Sequence, residues 1–165
     1  VNESEKYRIR LSKNFEKTQT KLIRDRYPKN RKAVIEFTER INKLVTILRV
    51  DPRLNPPLGH LEPWPKNMNL AEWEFWKLEF KMPQLRGAAE KGRIIYLLNA
   101  ALKEVVLIWI YTHAEYEKRP QDKDIKKRLL ESIESIESGD FFEENNISET
   151  VLEDERQQKD GELEE

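Results

Sequence analysis

Cysteine is absent, which removes disulfide scaffolds, thiolate zinc sites and cysteine nucleophiles. Histidine is almost absent: His60 and His113 are the only two, too few for a His-rich metal centre. Glycine is scarce, and none of the 5 glycines lies in a phosphate-cradling loop. No G-x-S-x-G, no H-E-x-x-H and no spaced acidic metal cluster occurs. The longest unbroken apolar run, Val105–Tyr111, has 7 residues. A membrane helix needs about 20. Val1–Tyr7 lacks the pattern of a secretory signal. These absences predict a soluble, cytoplasmic protein with no membrane partner, no metal and no cofactor.

Charge is plentiful and unevenly placed. The total of −1 conceals a basic body and an acidic tail. Residues 1–130 hold 28 Lys and Arg against 17 Asp and Glu, whereas residues 131–165 hold 2 against 14. A basic body points to polyanions such as nucleic acid; the competing reading is lysines and arginines that solvate helix faces. The tail is rich in Glu and Ser, and its composition predicts no fold of its own beyond Gly139. A length of 165 residues suits one domain. We assign it to residues 1–138, with a Pro-rich loop at 51–72 and the tail at 139–165.

Periodicity then orders the elements. Tyr7, Ile9 and Leu11 alternate with polar residues, the period of a half-buried strand. Phe15, Leu22 and Ile23 predict a helix from about Lys13 to Arg26. Val34, Phe37, Ile41, Leu44, Val45 and Leu48 predict a second from about Asn30 to Arg49. Residues 52–70 carry five of the eight prolines, too many for a helix or a central strand. Phe75–Met82, Arg93–Asn99 and Glu104–His113 read as strands, and the continuous apolar run of the last says that both its faces are covered. A final helix spans about Asp122–Ile136. The fold class is α+β: β-αα-βββ-α, an antiparallel sheet packed on a helix pair, with a C-terminal helix. Val34, Phe37, Ile41, Leu44 and Leu48 are expected beneath the sheet with Ile95, Leu97, Val106 and Ile108.

The candidate site follows from the meander. Lys77 and Lys81 lie on the polar face of one strand, Arg93 opens the next, and His113 ends the third. Arg86 sits in the connecting loop, and Tyr116, Lys118 and Arg119 follow His113. Neighbouring strands bring Lys77, Arg93 and His113 to one face or rim. Such a set can cleave RNA without metal. A base takes the 2′-OH proton, cations stabilise the crowded phosphate, and an acid protonates the leaving 5′-oxygen. Histidine titrates near neutrality, and Arg offers a forked phosphate donor. Arg93, just after Gly92, is expected at an exposed rim. Structural roles compete: Arg93 pairing with Glu79 or Glu104, Tyr116 as a core ring, and the four tryptophans as packing.

Four segments in order resemble the RelE/ParE superfamily of bacterial toxins. They are YRIRLSKNFEK, INKLVTILRVDPRLNPPLGHLE, WKLEF followed by GRIIYLLN, and IWIYTHAEYEK, over about Tyr7–Leu130. The resemblance implies a small basic β-αα-βββ protein of a toxin–antitoxin system, partnered by an acidic antitoxin. In the RelE and YafQ branches it implies a metal-free mRNA endonuclease acting on the ribosome. In the ParE branch it implies gyrase inhibition. A decayed member of the same fold would keep only binding. Arg93 matches the strand Arg at the scissile phosphate, Lys77 a strand lysine, and His113 the proton-handling residue. Arg86 matches the loop Arg only by neighbourhood. Lys81, Tyr116, Lys118 and Arg119 are assigned to RNA binding. Glu79 stands where the family prefers a second Lys. The acidic tail, 139–160, is expected to lie over the basic face and inhibit in cis.

Overall fold

The computed structural model describes residues 6–139 and 141–143. The chain runs β1 (Arg8–Leu11), α1 (Lys13–Arg26), α2 (Arg31–Val50), β2 (Gly59–Leu61), β3 (Glu74–Lys81), a short 3-10 turn (Gly87–Glu90), β4 (Lys91–Asn99), β5 (Glu104–Thr112), α3 (Asp122–Glu137) and β6 (Phe142–Glu143). This is the α+β order that the periodicity predicts. The described strands form one sheet in the order β2-β3-β4-β5-β1-β6. All pairs are antiparallel except β1 with β5. Among the described residues no helix is long and apolar enough to cross a membrane.

Local chemistry sets the joints. Ser12 caps α1 by accepting the Phe15 N–H at 3.0 Å. Its own hydroxyl donates to the Ile108 carbonyl at 3.2 Å, so the cap also ties α1 to β5. Asn30 caps α2 through the Ala33 N–H. Gly92 lies directly opposite Phe80, whose ring fills the space a Cβ would need, at 2.5 Å. Only glycine admits that ring, and it holds the strand start next to Arg93.

Helices α1 and α2 cover the first face of the sheet. Phe15, Leu22, Val34, Phe37, Ile41, Leu44 and Leu48 pack on Leu78, Ile94, Tyr96, Leu98, Val105 and Leu107. The two buried phenols there are satisfied: Tyr96 donates to the Pro52 carbonyl at 2.6 Å and Tyr27 to that of Pro83 at 2.7 Å. The expected partners Ile95, Leu97, Val106 and Ile108 are buried, but on the opposite face. They pack with Phe75 and Trp109 under Ile125 and Leu129 of α3, under Trp64, Met68 and Leu70 of the Pro-rich loop, and under Trp73 just after it. A register shift between Ile95 and Tyr96 leaves Ile108 without a direct opposite.

Two short strands lie where composition predicts none. β2 forms inside the Pro-rich loop as an edge strand on β3. Gly59 permits its close approach, since a Cβ there would meet that of Leu54 at 2.7 Å. At the other edge Phe142 and Glu143 pair with Leu11 and Arg10. Arg10 pairs with Glu104 at 3.0 Å and lies 4.3 Å over the Phe141 ring. The rest of the tail, and with it the expected cis-inhibiting contact of 144–160, lies outside the described residues.

Candidate functional site at the open end of the second sheet face

Helix α3 and the Pro-rich loop cover only part of the second face. The rest carries charge because the strand alternation changes chemistry there. Glu79, Arg93 and Tyr111 form one cross-strand row. Lys81 and Lys91 form the next row, which His113 joins by donating its N–H to the Lys91 carbonyl at 3.1 Å. Lys77 stands two residues from Glu79 on the same side of β3, opposite His60. The structure therefore places Lys77, Arg93 and His113 on one face, as the meander implies.

The cations are mostly partnered. Arg93 pairs with Glu79 at 3.3 Å, and its Nη1 donates to the Gly92 carbonyl at 2.9 Å. Its side chain is only 11% exposed, so it is not the bare rim residue expected from its place after Gly92. Lys77 reaches Glu62 at 3.3 Å, and the same carboxylate meets His60 at 3.5 Å and Arg119 at 3.7 Å. Arg119 also donates to the Pro63 carbonyl at 2.7 Å and pairs with Asp122 at 3.4 Å. Lys81 pairs with Glu90 at 3.0 Å and is otherwise largely exposed. Lys91 is exposed and has no carboxylate at ion-pair distance among the described residues.

His113 is the histidine at the charged end of this face. Burial, then the positive charges of Arg93 and Lys91, hold its imidazole below the usual 6.5, with Glu79 opposing. It is therefore neutral at pH 7 and able to take a proton. Tyr111 is pushed well above its usual value by burial and by Glu62, so it stays protonated. His60 is no second partner for His113. Three strand spacings and four residues separate them, roughly 20 Å at the backbone.

The remaining candidates lie apart. Tyr116 packs edge-on to Trp109 and Tyr111, with centroids 5.2 and 5.6 Å away, as the core ring that was its alternative role. Arg86 lines a groove with Glu36 and Arg40 of α2. Lys118 is exposed on the segment before α3. Sequence reading missed Glu62 and Lys91. The Lys91 signal was legible, since it stands two residues before Arg93 and so on the same face. Glu62 carried none, because its role depends on an edge strand hidden among prolines. Among the described residues no three His, Asp or Glu side chains gather as metal ligands. The chain matches no protein-family model, no curated protein and no solved structure.

Proposed function

We propose that the protein is a RelE-like toxin of a toxin–antitoxin pair that cleaves ribosome-bound mRNA at the open end of its second sheet face. The observation that carries this reading is the placing of His113 just past the end of β5, hydrogen-bonded through its N–H to Lys91 and one row from Arg93, two cations that with burial hold its imidazole below its usual pKa. In this reading His113 takes the proton from the ribose 2′-OH. The alkoxide attacks the adjacent phosphorus, and Arg93 and Lys91 stabilise the charge that gathers on the phosphoryl oxygens. The P–O5′ bond breaks, and the Lys91 ammonium or water protonates the leaving oxygen. The products are a 2′,3′-cyclic phosphate and a 5′-hydroxyl. Lys77 and Lys81 extend the cationic track, and an acidic antitoxin is the natural silencing partner.

Induced expression in a host cell tests the reading. Wild type should arrest growth and leave 5′-hydroxyl mRNA ends, and His113→Ala should do neither. Intact mRNA under wild-type induction would count against it. A second reading, a ParE-like gyrase inhibitor or a binding protein that has lost catalysis, draws support from one observation. Glu62, Glu79 and Asp122 neutralise Lys77, Arg93 and Arg119. Growth arrest that survives His113→Ala with mRNA intact would favour it.

A further inference from the structure

Under α3, away from the charged end of this face, one arginine has no carboxylate of the described residues within ion-pair distance, although Asp124 and Glu131 of the same helix act on it from further off. Arg128 of α3 is part-buried, with its guanidinium 3.7 Å above the Trp109 ring. Its Nη1 donates to Asn14 Oδ1 at 2.6 Å. Burial lowers its affinity for the proton, and Tyr116, within hydrogen-bond reach, partly offsets this. No Asp or Glu stands at ion-pair distance from it among the described residues. An ionised group taken from water costs free energy unless acceptors or an anion replace the lost hydration. An indole face and two neutral oxygens replace only part of it.

The strand lengths explain the space beside it. β1 ends at Leu11, opposite Leu107, so the last residues of β5 have a bare edge. Side chains of α1 plug it: Asn14 donates to the Ile108 carbonyl at 2.8 Å, and Thr18 accepts the Ile110 N–H at 3.2 Å. What remains is a cavity of about 320 Å³ between α1, β5 and α3, walled by Arg128, Thr18, Lys21 and Tyr116. Two carboxylates also reach it. Glu115 is turned back onto Arg26 and Thr112, while Asp25 lies exposed at the mouth. Lys21 is exposed and has no ion-pair partner among the described residues. It continues a stripe with Lys13 and Lys17, one helical turn (~5.4 Å) apart.

We propose that this cleft between α1 and α3 holds a backbone phosphate of single-stranded RNA, remote from the scissile bond, between Lys21 and the fork of Arg128. The proposal rests on the RNA reading above. We favour RNA over an acidic peptide because the cleft sets a guanidinium backed by an aromatic ring, Arg128 on Trp109, beside a row of lysines on α1, the pairing of ring surface and charge that single strands use. The lysine stripe then offers the strand a continuing track.

Binding of a 2′-O-methyl oligouridine, which cannot be cleaved, tests this. Arg128→Gln and Lys21→Gln should each weaken it about tenfold, as loss of one charge-assisted contact does. Each should reduce the slope of log affinity against log salt by about 0.7. Lys21 is exposed, so its variant stands even if Arg128→Gln fails to fold. Wild-type affinity in Lys21→Gln and in any folded Arg128→Gln would overturn the proposal. So would a loss confined to polyglutamate binding, which would make the cleft a peptide site. If wild type proves unable to cleave RNA, reduced oligouridine binding by these variants still upholds the cleft and fails only the catalytic reading.

Discussion

The two faces of one sheet are built from the same alternating strands and end with opposite chemistry. The first face meets α1 and α2 and is apolar under both. The second is apolar under α3 and the Pro-rich loop, then turns to Lys77, Glu79, Arg93 and His113 where that cover stops. Packing fills the first face, and charge gathers at the uncovered end of the second. Phe37 and Leu78 can be read as packing alone. Arg93 cannot, because its neighbours on either side in β4, Gly92 and Ile94, belong to the packed face while it points the other way.

The sharpest break of this comparison is Phe37→Ala. The ring is fully buried between α2 and the sheet, so its loss should cost about 3–5 kcal/mol in denaturant unfolding. A cost under about 1 kcal/mol would mean that the first face is not the main core. Next comes Glu62→Ala on the charged face. The carboxylate is 6% exposed and serves Lys77, His60 and Arg119. Its removal leaves like charges together, and we expect a loss of about 2 kcal/mol, measured the same way. An unchanged unfolding midpoint would make that network ornamental.

His113 sharpens the comparison through pH. Its folded-state pKa is lowered, so as pH falls below about 6.5 the unfolded chain binds the proton first. Its contribution should therefore be constant above that pH and turn destabilising below it, by a small amount because the ring is partly solvated. In an NMR titration its midpoint should lie below 6.5 and rise part of the way back in Arg93→Ala, since burial is the larger cause. A midpoint above 6.5, or no response to Arg93→Ala, would remove Arg93 from its surroundings. The smallest effect belongs to Lys81→Ala. The side chain is 72% exposed, and its pair with Glu90 should be worth less than about 1 kcal/mol.

Much of this was legible from spacing. The stripe Val34, Phe37, Ile41, Leu44 and Leu48 located α2, and the alternation in Trp76–Met82 located β3 and its wet face. The face on which Ile95, Leu97, Val106 and Ile108 pack was not legible. RIIYLLN and VVLIWIY are apolar on both sides, so alternation carries no sign there, and the shift beside Ile108 leaves no trace in the residues. The site was half legible. Lys77, Arg93 and His113 share a face as their strand positions imply. Their neutralisation was hidden, because Glu62 acts through β2, a three-residue edge strand among prolines.

We place the proposed catalysis at the open end of the second face and on His113, one of only two histidines. The direct test is the rate of mRNA cleavage in translating ribosomes for His113→Ala and His60→Ala side by side, with melting temperatures recorded. We expect a loss of about 10²-fold or more for His113→Ala at an unchanged melting temperature, and near wild-type cleavage for His60→Ala. Equal rates for wild type and His113→Ala, or a loss confined to His60→Ala, would contradict it.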